Sequence, residues 1–137
     1  MRKFLILIFL LITYQNVYPQ LYERINKSYN EIIDEFSKYN YVKIKESNDF
    51  NFLYLEIRDL EVIYVFDFFG EKCLFTFINA KENNIDLKIF EKTYKNFLKI
   101  DEEHYEYLNN NNKTISLIIF LNNKNELMYS FKEKIEL

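Results

Sequence analysis

Residues 60–79 read LEVIYVFDFFGEKCLFTFIN, and the fold turns on them. β-branched and aromatic residues dominate both ends of the stretch, which marks two apolar strands. Between them Phe69-Gly70-Glu71-Lys72 holds the only glycine of the chain. That glycine supplies backbone geometry other residues resist, so the stretch predicts a long central β-hairpin.

The 137-residue chain is one domain's worth of sequence, and 49% hydrophobic with 19% aromatic residues is ample for a packed core. With one Gly and one Pro, turns must be built mostly from Asn, Asp and Lys. A net charge of −3 disfavours an extended nucleic-acid surface, and Lys and Arg are scattered rather than interleaved with the tyrosines.

Upstream of the hairpin, Met1-Arg2-Lys3 is positive, Phe4 to Ile12 is an unbroken apolar run, and Thr13 to Gln20 turns polar. This three-part layout predicts a secretory signal peptide over residues 1–20. No small residue precedes a cut and Pro19 is a poor residue there, so an uncleaved weak anchor stays open beside cleavage. Export then means the periplasm or the outside. A lone cysteine forms no internal disulfide in such a compartment, and Cys73, inside an apolar strand, reads as a small buried hydrophobe.

Residues 21–137 are expected to form a single domain. Leu21, Tyr22, Ile25, Tyr29, Ile32, Ile33 and Phe36 recur at helical spacing and predict an amphipathic helix of four or five turns. Its Glu31, Asp34 and Glu35 form an acidic trio, read as a solvated face because no further cation ligands accompany it. A period of two then marks a short strand at Tyr41, Val42 and Ile44 and another from Phe50 to Ile57, with turns at Ser47-Asn48-Asp49 and Arg58-Asp59.

Beyond the hairpin, Asn83-Asn84 caps a second amphipathic stretch with Ile85, Leu87, Phe90, Tyr94, Phe97 and Leu98. Tyr105 and Tyr107, the asparagines at 109–112, a strand Thr114 to Leu121, the turn 122–125 and a strand Glu126 to Phe131 follow. Element order repeats: 97–100 sits where 41–44 sat, and 126–131 where 72–77 sat. This predicts a tandem duplication with half-repeats at about 21–79 and 84–132. The fold class is α+β: one antiparallel sheet of six to eight strands with two amphipathic helices on one face. The plan resembles that of exported proteins shaped like the β-lactamase inhibitor protein, a likeness of layout that implies a fold and no function.

The sequence holds no phosphate-cradling glycine loop, no HExxH, no CxxC and no nucleophile elbow. His104 follows Asp101-Glu102-Glu103 and reads as a surface histidine at a strand start. No metal or cofactor is expected. If Leu53/Leu55/Ile57, Val62/Tyr64/Phe66, Cys73/Phe75/Phe77 and Ile115/Leu117/Ile119/Leu121 face the helices, the other side carries Phe52, Tyr54, Ile63, Val65, Leu74, Ile78, Ile118 and Phe120. Glu56, Glu61, Asp67, Thr76, Thr114 and Ser116 dilute that set. A surface so apolar marks a partner or ligand face, or else one that the long hairpin or a second copy of the chain covers.

The expected function is an exported, non-enzymatic protein that binds a protein partner through Phe52, Tyr54, Ile63, Val65, Ile78, Ile118 and Phe120, as an inhibitor or immunity protein would. The alternative is a carrier of a small apolar molecule or lipid, with an aromatic pocket between sheet and helices. A hydrolase using His104 is the third. Contact with a membrane is expected only through an uncleaved N-terminus.

Overall fold

The computed structural model describes residues 23–46, 51–57, 60–80, 91–92, 94–109 and 111–135. The expected export segment, Leu21 and Tyr22, the turns at 47–49 and 58–59, and Asn83 to Phe90 of the second amphipathic stretch lie outside these residues. The described residues form one open antiparallel sheet of eight strands with one short helix. In chain order these are α1 (Tyr29–Phe36), β1 (Val42–Glu46), β2 (Phe52–Ile57), β3 (Leu60–Phe66), β4 (Cys73–Ala80), β5 (Leu98–Lys99), β6 (His104–Leu108), β7 (Thr114–Leu121) and β8 (Leu127–Glu133). Across the sheet the order is β1-β2-β3-β4-β8-β7-β6-β5. Two four-stranded meanders therefore meet at their last strands, β4 against β8.

The central hairpin forms as expected, and one irregularity inside it decides which side chains face where. Val65 pairs with Phe75, but Phe66 pairs with Cys73, so Leu74 is an extra residue on β4. Such a bulge inverts the alternation beyond it. Cys73 keeps its buried place. The Cys73 thiol donates to the Phe75 carbonyl at 3.3 Å, across the bulge. Burial pushes that thiol up to about 12, which suits a packing residue rather than a reactive one. Past Leu74, Thr76 and Ile78 point into the core, paired with Tyr64 and Val62, while Phe75 and Phe77 point to the opposite face. The straight alternation expected for β4 is thereby corrected: Ile78, 1% exposed, is a core residue.

The core lies on one side of the sheet. Leu53, Leu55, Ile57, Val62, Tyr64, Ile115, Leu117, Tyr129 and Phe131 project there, and Ile25, Tyr29, Ile32 and Phe36 cover the β2–β3 end. Tyr29 meets Phe66 edge-on at 5.5 Å, and Phe36 lies 6.3 Å from Tyr64. In the other half Tyr94 packs on Tyr105 and Tyr129, and Phe97 stacks on Tyr107 at 4.3 Å. Leu98, counted in the sequence both at the end of the second amphipathic stretch and in the strand-equivalent segment 97–100, is the first residue of β5 and is exposed.

The helix is shorter than its apolar spacing implies. Asn26 sits at φ 71°, a left-handed value that asparagine tolerates and a helix interior excludes. Asn26 N–H donates to the Cys73 carbonyl at 2.9 Å, and Cys73 N–H to the Lys27 carbonyl at 2.7 Å, so residues 26–27 are tied to β4. Only then does α1 begin, in a capping box: Glu31 N–H donates to Ser28 Oγ, and Ser28 N–H to Glu31 Oε2. The acidic trio is thus divided. Glu31 caps, Glu35 accepts Arg24 Nε and Nη2 at 3.0 and 2.6 Å with Lys27 Nζ at 3.1 Å, and Asp34 is exposed.

Three turns share one device. Asp67, Asn109 and Asn122 each accept a turn N–H on the side-chain oxygen, and Gly70, Asn112 and Asn125 each take a left-handed φ of 68°, 57° and 58°. Gly70 is buried, and its carbonyl accepts the Tyr29 N–H at 2.9 Å. A Cβ there is penalised in the left-handed region, so Gly70→Ala should cost about 1–2 kcal/mol, read as a lower urea midpoint at unchanged slope.

Candidate functional site

The face opposite the core is built row by row from the strand register. One row runs Lys45, Tyr54, Ile63, Phe77, Ser130, Ile118, His104; the next runs Phe52, Val65, Phe75, Lys132, Ser116, Glu106, Leu98. On the other flank lie Lys43, Glu56, Glu61, Asn79, Met128 and Phe120.

Six of the seven residues singled out from the sequence are on this face. Phe52, Tyr54 and Phe120 are exposed, and Ile63, Val65 and Ile118 are half-buried among their neighbours. Ile78 is not there, for the reason given by the bulge. In its place the register brings Phe75 and Phe77, stacked at 6.1 Å with 17° between ring planes. The result is an apolar patch on β2, β3 and β4: Phe52 and Tyr54, Ile63 and Val65, Phe75 and Phe77. Residue spacing could not have found the last two, because β4 is apolar at both parities.

The β6–β8 side of the face is mixed, with His104, Glu106, Ser116, Ser130 and Lys132 beside Ile118, Met128 and Phe120. His104 opens β6 and lies 3.1 Å from Ser116 Oγ through its Nε2. Glu106 Oε1 is 3.6 Å from the same ring nitrogen and 2.8 Å from Lys134 Nζ. The pairing of β6 with β7 thus supplies the serine that linear spacing did not reveal. A nucleophilic relay needs the carboxylate on the far ring nitrogen, where it orients the imidazole and stabilises its cation. Here serine and carboxylate share Nε2, the carboxylate is already neutralised by Lys134, and Ser116 is 4% exposed. His104, Ser116, Glu106 and Lys134 thus form a part-buried polar network in which the serine and the carboxylate meet the same ring nitrogen.

Both sheet edges are blunted. Edge strand β1 carries Lys43 and Lys45, paired with Glu56 at 3.5 and 3.9 Å. At the other edge β5 is two residues long. Short or lysine-bearing edges resist strand addition. No group of three or more His, Cys, Asp or Glu among the described residues could hold a metal ion. Compared with family models, curated proteins and solved structures, the chain matches none.

Proposed function

We propose that the chain is an exported, non-enzymatic binding protein that engages a protein partner through the open face of its sheet. The observation that carries this reading is the patch of Phe52, Tyr54, Ile63, Val65, Phe75 and Phe77, aromatic and aliphatic side chains on a sheet face that the described elements do not cover. Its composition is that of an interface core, aromatic-rich and free of charge, with Lys45, Glu56 and Lys132 at its margin. Rigid strands hold these side chains in place before any partner arrives, which reduces the ordering cost of association. Inhibition of, or immunity against, an envelope enzyme is the concrete form. The amino-terminal sequence supports export, and the shared nitrogen in the His104 network supports a role without catalysis. The two meanders, each ending in a strand of the central pair, support descent from a duplicated helix-plus-strands unit.

The test compares the full chain with Tyr54→Asp/Phe77→Asp in pull-downs from the envelope fraction of the host. The expected result is a protein recovered with the parent chain and reduced at least about tenfold with the variant, at unchanged thermal unfolding. Equal recovery with both chains sinks the face assignment. Recovery of a small apolar molecule without protein favours the carrier reading.

A further inference from the structure

We propose that the end of the sheet carrying the β3–β4 turn is a lipid-contact surface, one that seats on the headgroup layer of a bilayer without crossing it. This inference does not rest on the open-face reading. Among the described residues the four most exposed large apolar side chains are Phe68 at 80%, Ile135 at 80%, Phe69 at 76% and Leu108 at 67%. All four sit at the same end of the sheet. Phe68 and Phe69 occupy the turn between β3 and β4. Leu108 is the last residue of β6, on the rung with Thr114. Ile135 follows Lys134, whose N–H donates to the Thr114 carbonyl at 2.9 Å.

The aromatic pair is held out rather than left loose. Asp67 N–H donates to the Lys72 carbonyl, Gly70 N–H to the Asp67 carbonyl, and Glu71 N–H to Asp67 Oδ1, at 2.9, 3.1 and 2.8 Å. The two rings meet edge to face at 5.2 Å and 90°. Neither ring belongs to the core cluster, so folding does not call for aromatic residues at 68 and 69. Aromatic rings at a wet–apolar boundary are what an interfacial lipid contact uses.

The charges at this end fit phosphate headgroups. Lys113, 56% exposed, lies over Glu133 at 30%, and Lys134, 46% exposed, lies over Glu106 at 10%. Lys72 and Lys132 are exposed as well. Glu133 and Glu106 are drawn in beneath amines and Asp67 is engaged in the turn, while Glu71 in the turn and Glu31, at the start of the helix whose Tyr29 N–H donates to the Gly70 carbonyl, are exposed. Amines outermost around apolar tips attract an anionic lipid surface. Seating, not spanning, agrees with the described helix being neither long nor apolar enough to cross.

The chain contains no tryptophan, so Phe68→Trp is a single-site reporter in the full-length protein. Vesicles of phosphatidylcholine, alone and mixed with phosphatidylglycerol, should shift its emission to the blue, more strongly with the anionic lipid. A reporter at Tyr39→Trp, beyond α1, should stay unchanged. Phe68→Asp/Phe69→Asp should lower vesicle flotation roughly tenfold or more while leaving thermal unfolding in place. If the chain floats but the Phe68→Trp emission does not move, binding runs through the apolar run at residues 4–12 and the proposal fails. It fails equally if the double aspartate variant floats as well as the parent. Absence of flotation overturns it too and returns the exposed pair to a protein contact.

Discussion

Ile78→Ala lowers stability by about 2–5 kcal/mol, while Phe77→Ala, one residue earlier, lowers it by about 1 kcal/mol or less. The contrast follows from the extra residue Leu74. It sends Ile78 into the core between Val62 and Tyr129, and leaves Phe77 between Ile63 and Ser130 on the open face. Removing three carbons from a fully buried site leaves a cavity that close-packed neighbours fill only in part. Removing a half-buried ring forfeits its stacking on Phe75 but opens no enclosed cavity. Urea unfolding of the two variants checks this directly. With an unbroken alternation through β4 the two results would exchange places, so the pair tests the bulge and not only the burial.

Glu35→Gln should destabilise the protein by about 2–3 kcal/mol at neutral pH, less than for a fully enclosed pair because Glu35 keeps 30% of its side chain exposed. Arg24 is 7% exposed, packs 5.3 Å over the Phe36 ring, and loses its counter-charge in the variant. Burial alone would raise the Glu35 carboxyl, but the Arg24 hydrogen bonds and charge, with Lys27, outweigh it and hold the group below its ordinary 4.5. A lowered folded value means this stabilisation is complete above about pH 4.5 and disappears as pH falls through the folded value. The parent should therefore lose stability on acidification where the variant has less to lose. Glu23 has the opposite sign. Burial, the leading cause, raises it despite the Ile25 N–H and Arg24, so its charge costs stability as pH rises through the folded value. Glu23→Gln should gain stability at pH 7. Unfolding midpoints from pH 3 to 8 for both variants separate the two carboxylates.

What the sequence made legible was the order of elements. Strands β2, β3 and β7 alternate cleanly or carry long apolar runs between turn residues, whereas the start of α1 at the Ser28–Glu31 capping box went unread. The apolar spacing continued upstream to Leu21, and spacing alone cannot see that residues 26–27 are bonded to β4. Strand β4 hid its register because Cys73, Leu74, Phe75, Phe77 and Ile78 are all apolar, so either parity offers a core face. The His104–Ser116 contact was hidden for a different reason. It depends on how β6 aligns with β7, a pairing set by the turn at 109–113, where Asn109 Oδ1 accepts two backbone N–H groups and Asn112 turns left-handed. Phe68 and Phe69 were in plain sight, but their exposure comes from the turn that holds them.

The seam between the meanders carries a kinetic consequence. Six of the seven strand pairs join neighbours in sequence, and their ladders close over short turns. The seventh, β4 with β8, brings Ile78 to Tyr129 from roughly fifty residues away. Closing so long a loop has a larger entropic penalty, and long-range pairing is the slow step in sheet proteins. The two halves should then form first and dock last. Until they dock, each presents a bare strand rich in Phe, Tyr and Ile, and the corresponding strand of another molecule offers the same hydrogen bonds. Refolding at high concentration should accordingly yield exchanged dimers joined at this seam, and slow dilution should yield monomers.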